Sequence, residues 1–470
     1  MLTYNLAELK GESMYIHLYK CIKKDIEGQT IKAHERLPSK RSLARNLGVS
    51  LITVENAYAQ LQVEGYIYSL PKKGYFASKI QPPPAVRLGL KATLPAMQPP
   101  KAPYADFTSS DVPEDTFPYG IWARLLRQTL TTVDEHSLLR DNASGGVFRL
   151  RCAIAKHLYQ FRGMSVDPQQ LIIGAGTQTQ CGLLVQLLGR DKTFALEDPC
   201  YPKLAAVYRS NAAGLSFLPM DASGIEPHSL KESRAQVLHI SPSHQFPTGI
   251  VMPVKRRYEL LAWAQESKDR YIIEDDYDCE FRLFGRPIPS LQSIDTAEKV
   301  IYSNTFSKTL APTFRISYLL LPRPLAEAFY RDFGFYAGTV SNFEQFTLAR
   351  FIEEGHFERH LNRMRTCYRN KRDKLLKCLA ELKFSKALQV EGENSGLHFL
   401  LHLATDAPDS LLAEVAAKEN IRIKFLSSYY HDQKSDDSHT LLMNYTGIPE
   451  SRLAPALEKL FGALSPYLKF

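Results

Sequence analysis

Tyr302-Ser-Asn-Thr-Phe-Ser-Lys-Thr-Leu-Ala-Pro-Thr-Phe-Arg315 is the stretch on which the reading of this chain turns. It sets Lys308 among hydroxyl side chains, with Arg315 seven positions further on. An amine in that company suits an aldehyde cofactor that carries a phosphate. Lys308 can form a Schiff base, while Thr305, Ser307 and Arg315 hold the phosphate. A Ser-Lys pair alone is trivial, so the weight falls on its companions.

Upstream, Ile173-Gly-Ala-Gly-Thr-Gln-Thr-Gln180 lies between a strand-like run and a helical pattern. Gly174 and Gly176 permit a tight turn, which lets a helix N-terminus present its N–H groups to a phosphate. Glu197-Asp-Pro-Cys-Tyr201-Pro puts an aromatic ring at a strand end, where it can stack on a flat cofactor. Tyr271-Ile-Ile-Glu-Asp-Asp-Tyr-Asp278 gathers acids at the C-terminal end of another strand, where sites in open α/β sheets collect. A carboxylate there can pair with a protonated pyridine nitrogen. Asp275 is our choice; Asp276 competes, because sequence leaves open which of the two points inward.

Around these motifs, helical patterns alternate with short apolar runs at Leu171–Ile173, Thr193–Leu196, Gln236–Ile240, Tyr271–Glu274 and Lys299–Tyr302. Strands spaced by helix-length intervals imply crossover connections and a largely parallel sheet covered on both faces. This part is expected to span 105–470, with a large portion at about 130–325 and a smaller one formed by about 326–470 with 105–129. Residues 81–104 hold seven prolines and little periodicity, which predicts a semi-extended linker.

Residues 1–80 read differently. Tyr15, Leu18, Tyr19, Ile22 and Ile26 recur at helical spacing; Ser39 starts a second helix that stops at Gly48; Ser50 caps a third carrying Val54, Ala57, Tyr58 and Leu61. Tyr66–Tyr68 and Tyr75–Ala77 flank the basic turn Pro71-Lys72-Lys73-Gly74, a hairpin pattern. Three helices and a basic hairpin describe a winged helix-turn-helix, whose third helix enters the major groove while the wing reaches phosphates. Ser39, Arg41 and Arg45 are then backbone contacts from the second helix. Ser50, Thr53 and Asn56 are readers on the third, and Lys72, Lys73 and Gly74 form the wing.

Composition agrees with such a chain. Its 470 residues, 44% apolar and 23% charged, exclude a disordered or fibrous protein and provide for more than one domain. The net charge is +8, of which the first 80 residues carry +5, a basic module on a nearly neutral body. Seven scattered cysteines without a C-x-x-C pair argue for reduced thiols, against a disulfide framework and against a structural metal site. No apolar run approaches bilayer length and the first twenty residues lack a signal-like block, so a cytoplasmic protein without membrane contact is expected.

The string LPSKRSLARNLGVSLITVENAYAQLQVEGYIYSLPKKGYF, from Leu37 to Phe76, resembles the DNA-binding domain of the GntR regulators. The later motifs resemble the fold-type-I pyridoxal phosphate enzymes of the class I aminotransferase branch. Asp111-Val-Pro-Glu, Phe117-Pro118, Trp122, Leu150-Arg151 and Ser241-Pro-Ser-His-Gln-Phe-Pro-Thr-Gly249 extend that likeness. The fusion resembles the MocR/GabR subfamily of transcription regulators. By position, the resemblance implies Lys308 as the Schiff-base lysine, Asp275 as partner of the pyridine nitrogen and Tyr201 as the stacking ring. Tyr277 would sit near the phenolic oxygen and His244 near the ring; Gly176, Thr177, Gln178, Thr305, Ser307 and Arg315 would surround the phosphate. It also implies a homodimer, an operator in double-stranded DNA and Arg41 on that DNA.

Four departures stand out. Leu51 occupies a place where many relatives have a base-reading arginine, and Cys200 and Thr313 replace common glycines. His439–Gly447 lacks the arginine that clamps a substrate carboxylate in aminotransferases. The expected function is therefore a regulator whose second domain senses pyridoxal phosphate, or an amine or amino-acid effector, through Lys308. The alternative is an active aminotransferase with a vestigial DNA-binding domain; a third reading keeps the regulator and makes the large domain a cofactor-free dimerisation scaffold.

Overall fold

The computed structural model describes residues 4, 12–80, 102–109, 111–113, 116–141, 144–283, 288–394, 396–431 and 437–469. The chain divides into two compact units, Met1–Pro100 and Lys101–Phe470. Most of the expected linker, 81–101, lies outside the described residues.

In the first unit, helices α1 (Met14–Glu27), α2 (Lys40–Leu47) and α3 (Leu51–Val63) precede a hairpin of β1 (Ile67–Leu70) and β2 (Gly74–Ala77). The apolar positions of the repeat build the core: Leu18 and Ile22 of α1 meet Leu43 of α2 and Val54, Ala57, Tyr58 and Leu61 of α3. Tyr58 is fully buried, and its hydroxyl donates to the Pro38 carbonyl at 2.9 Å, tying α3 to the start of α2.

The second unit opens with β3 (Ala105–Asp106), α4 (Tyr119–Thr132), α5 (Glu135–Leu139) and α6 (Phe148–Arg162). There follow β4 (Leu171–Gly174), α7 (Thr177–Leu188), β5 (Thr193–Asp198), α8 (Pro202–Ser210), β6 (Gly214–Asp221), β7 (Gly224–Ile225) and α9 (Pro227–Glu232). Next come β8 (Val237–Ile240), α10 (Val254–Gln265), β9 (Tyr271–Asp275), β10 (Val300–Thr305), β11 (Ser317–Leu320), α11 (Arg323–Phe333), α12 (Asn342–Glu353) and α13 (His356–Glu381). The last portion is β12 (Leu388–Glu391), β13 (His398–Leu403), α14 (Asp409–Lys418), β14 (Ile421–Arg422), β15 (Thr440–Asn444) and α15 (Glu450–Leu464).

An eight-stranded sheet runs in the order β4-β11-β10-β9-β8-β5-β6-β7. Its centre, from β10 through β9, β8 and β5 to β6, is parallel, as expected. Both edges depart from that expectation: β11 pairs antiparallel with both β10 and β4, and β7 pairs antiparallel with β6. Side chains alternate between two covering layers, the pleat's period of two. Ile272 packs with Leu260 and Trp263 of α10, whereas its neighbour Ile273 packs with Leu184 of α7 and Tyr208 of α8. A smaller sheet, β12-β13-β15, carries the C-terminal portion, and β3 pairs in parallel with β14 beside it.

His157 of α6 lies inside this unit, stacked on Phe161 at 5.6 Å and edge-on to Phe357 at 5.1 Å. Burial, aided by Arg365, pulls its imidazole down to about 4. The folded state thus holds it neutral, while the unfolded chain takes up a proton below its ordinary value of 6.5. Stability is therefore complete above that value and lost as pH falls toward 4, by roughly 3 kcal/mol for this group. His157→Leu is expected to flatten the acid limb of the stability profile, read as the urea midpoint from pH 7 to pH 4. An unchanged limb would refute the assignment.

Candidate functional site

The central strands end on one side of the sheet, and a cavity of about 590 Å³ lies there. Thr177 and Gln178 of α7, Tyr201 before α8, His239 of β8, Asp275 of β9, Thr305 of β10, Lys308 and Arg315 all line it. The C-terminal portion completes the wall with Leu397, His398, Lys424, Tyr429 and Asn444.

Lys308 sits in the turn after β10. Buried Phe306 and Leu310 pin that turn, with Leu310 N–H donating to the Phe306 carbonyl at 2.8 Å. His360 Nε2 of α13 lies 2.7 Å from the Thr309 carbonyl oxygen. Burial pushes the Lys308 amine below its ordinary range, against the pull of Asp278 and Asp111. The phosphate-type partners assemble beside it. Thr305 Oγ1 accepts from Ser307 N–H at 3.1 Å, and the two hydroxyl oxygens are 3.0 Å apart. Gly176 caps α7 at φ 88°, and a Cβ there would strike the Arg315 guanidinium, so glycine is what lets that arginine reach the helix N-terminus. The α7 first-turn N–H groups, two hydroxyls and a guanidinium thus converge as an anion cradle.

The two aspartates separate. Asp275 shares the face of Ile273 and lines the cavity; its Oδ2 is 3.7 Å from His239 Nε2, and its buried Oδ1 has no hydrogen-bond partner among the described residues. Asp276 points to the opposite layer, paired with buried Arg162 and accepting from Tyr302 O–H at 2.8 Å. Of the two aspartates, Asp275 is the one that lines the cavity. Tyr208 O–H, 2.6 Å from His239 Nδ1, supports that histidine from behind.

Tyr277 lines the cavity; His244, expected near the ring, is not among the lining residues and lies behind Tyr277. The reason is Asp278: its Oδ2 lies 2.9 Å from His244 Nδ1, and the Tyr277 oxygen lies 3.1 Å from the same nitrogen. His244 therefore orients Tyr277 instead of facing the cavity. Sequence reading missed His239, Glu197, His398, Lys203 and Lys424, all of which line the cavity. Burial pushes the Glu197 carboxyl up to about 8 and His398 down to about 3, so both groups favour their neutral forms. A histidine in the otherwise apolar strand Val237–Ile240 was a legible signal; nothing local marked Lys424. Burial and nearby Lys203 both push the Lys424 amine down.

In the first unit the expected DNA residues divide by role. Ser39 Oγ accepts from Ser42 N–H at 3.2 Å and Ser50 Oγ from Thr53 N–H at 3.1 Å, so both serines are helix caps. The Ser50 and Thr53 hydroxyls also bond each other at 2.8 Å, so these two expected readers are engaged at the cap. Arg41, Arg45 and Asn56 are exposed on α2 and α3, as are Lys72 and Lys73 in the hairpin turn, where Lys72 has φ 60° and Gly74 φ 104°. Arg36 reaches the same turn: a Cβ on Gly74 would lie 3.6 Å from its Nε.

Residues 14–76 match the gntR family of bacterial regulatory proteins, and residues 123–436 match the class I and II aminotransferases. The chain is 31% identical over 434 residues to PdxR of Corynebacterium glutamicum, an HTH-type pyridoxine biosynthesis transcriptional regulator, covering 91% of each. It is 31% identical to the probable rhizopine catabolism regulatory protein MocR of Rhizobium meliloti, covering 96% of this chain and 93% of that one. The chain belongs to the MocR/GabR subfamily of transcription regulators. A further relative, the uncharacterized HTH-type transcriptional regulator YdeL of Bacillus subtilis, is 37% identical over 452 residues, 96% of each chain. Among solved structures, Pyrococcus horikoshii kynurenine aminotransferase matches with TM-score 0.68 and 23% identity, covering 79% of this chain and 93% of that one. That likeness establishes an aminotransferase fold for the second unit. As a MocR/GabR member, the protein is an HTH-type transcriptional regulator with an aminotransferase-like domain. The gntR-type regulators bind operator DNA, and the class I aminotransferases as a family depend on pyridoxal phosphate. No described helix is long and apolar enough to cross a membrane.

Proposed function

We propose that the second unit is a sensor that holds pyridoxal phosphate, anchored on Lys308, and that its state governs how the first unit binds operator DNA. The observation that carries this is Asp275. A buried carboxylate oxygen with no partner among the described residues, in a cavity that also holds a lysine and an anion cradle, fits a protonated ring nitrogen. Bound there, pyridoxal phosphate would supply an aldehyde for an amine to condense with and a ring that withdraws electrons.

The chain's own groups then have defined work. Lys308 offers an amine that burial keeps nucleophilic. Asp275 holds the ring-nitrogen proton, with His239 keeping its second oxygen in place. Gly176, Thr177, Gln178, Thr305, Ser307 and Arg315 would hold the phosphate, Tyr201 a ring face, and Tyr277 the phenolic oxygen. His244 acts through Tyr277. Lys203 and Lys424 suit the acidic end of an amino-acid effector, since His439–Gly447 has no arginine and contributes Asn444 to the wall. A cytoplasmic homodimer belongs to the same reading, supported by exposed aromatic side chains at Phe335 and Tyr336.

A ligand shifts DNA binding only through different affinities for two states. At fixed salt, retention of the protein's own promoter fragment is expected to change at least fivefold when pyridoxal phosphate is added. No change would overturn the sensor. Steady turnover of amino and keto acids at enzyme-like rates would favour the aminotransferase alternative.

A further inference from the structure

We propose that α3 selects A·T-rich operator half-sites by packing Leu51 and Ile52 against thymine methyl groups. The inference rests on the reading of the first unit as an operator-binding module, and names what that module reads. From Leu51 to Val63 the helix contains no lysine or arginine. Its solvent face carries Leu51, 39% exposed, Ile52, 67% exposed, and Val63, 86% exposed, together with Asn56 and Ala59.

Apart from Asn56, and from exposed Gln62 in the last turn, the exposed or half-exposed polar groups of α3 and its cap have partners within the unit. Ser50 and Thr53 bond each other at the cap, Glu55 pairs with Lys40 at 3.7 Å, and Gln60 donates to Glu64 at 2.6 Å. What the first turn offers a base pair is therefore two branched hydrocarbons, with Asn56 one turn beyond Ile52.

In the major groove, guanine shows two acceptors and asks for paired donors, usually from arginine. Thymine shows a methyl group, and adenine a donor-acceptor pair that one asparagine amide satisfies. Leu51 and Ile52 answer the first of these, and Asn56 the second. Isolated, an isoleucine so exposed is a hydrophobic surface without cover; against a thymine methyl it loses water on both sides. The charges needed to hold the helix in the groove surround it: Arg41 and Arg45 on α2, Lys72 and Lys73 in the wing. Those cations suit phosphates, fix register and carry no sequence information.

The test uses the full-length protein and a random duplex pool at fixed salt. The recovered half-sites are expected to be T/A-rich at their centres. Replacing each contacted thymine by uracil, which removes only the methyl, is expected to weaken binding about threefold per position. Ile52→Ala and Leu51→Ala should erase the difference between thymine and uracil duplexes. Lys72→Ala should weaken both equally and lower the salt slope by about one. Because Ile52 is largely exposed, its variant leaves the core of the unit intact. Guanine-centred half-sites, or indifference to uracil by a protein that still binds duplex, would overturn this inference and leave operator binding standing. Failure to retain any duplex at low salt would overturn both.

Discussion

Lys308→Ala is expected to stay colourless when saturated with pyridoxal phosphate, whereas the parent chain gains a visible band that borohydride bleaches. The reduced adduct should map to Lys308 alone among the lysines of the chain. Folding should survive, because the turn is held by Phe306, Leu310 and the His360–Thr309 contact, none of which uses the lysine amine. The response of promoter binding to pyridoxal phosphate should fall from at least fivefold to none. Any cofactor retained in the phosphate cradle would wash out, since charge-assisted hydrogen bonds alone replace a covalent link. A coloured Ala variant, or an adduct on another lysine, would remove the basis of the sensor.

The second large effect separates adjacent residues. Asp276→Asn leaves Arg162 buried without its carboxylate, and the loss of one partner of a buried pair costs about 3–5 kcal/mol. Asp275→Asn removes a carboxylate that has no arginine partner, so folding should change by under about 1 kcal/mol. Its affinity for pyridoxal phosphate should drop at least tenfold, because a neutral amide does not stabilise a protonated ring nitrogen. Both tryptophans, Trp122 and Trp263, belong to the second unit, so their fluorescence in urea reports on that unit alone. Equal shifts in the two variants, or a cofactor defect confined to Asp276→Asn, would contradict the geometry.

Much of this molecule is written locally. The third helix of the first unit announces itself through Val54, Ala57, Tyr58 and Leu61, and all four are fully buried. The loop 302–315 and the turn at 174–176 are marked by residue types that few other roles require. The aspartates show where local reading stops. Which side of a pleat a residue faces depends on register, and β9 runs one residue past the expected end at Glu274 to include Asp275. Strand direction is equally silent: Ser317–Leu320 has the same buried pattern as its neighbours, yet it runs antiparallel. His239, His398 and Lys424 meet only through the tertiary fold, and His244 is drawn back by an aspartate 34 positions away in sequence.

The first strand of the second unit has a mechanical consequence. Ala105 pairs with Ile421, Tyr104 N–H donates to the Asn420 carbonyl and Phe107 N–H to that of Arg422, after which Thr108, Ser109 and Asp111 form part of the cavity wall. On the proposed reading, an effector in the cavity would press on the same segment whose start is paired to β14. Those few residues would then serve as both mooring and feeler.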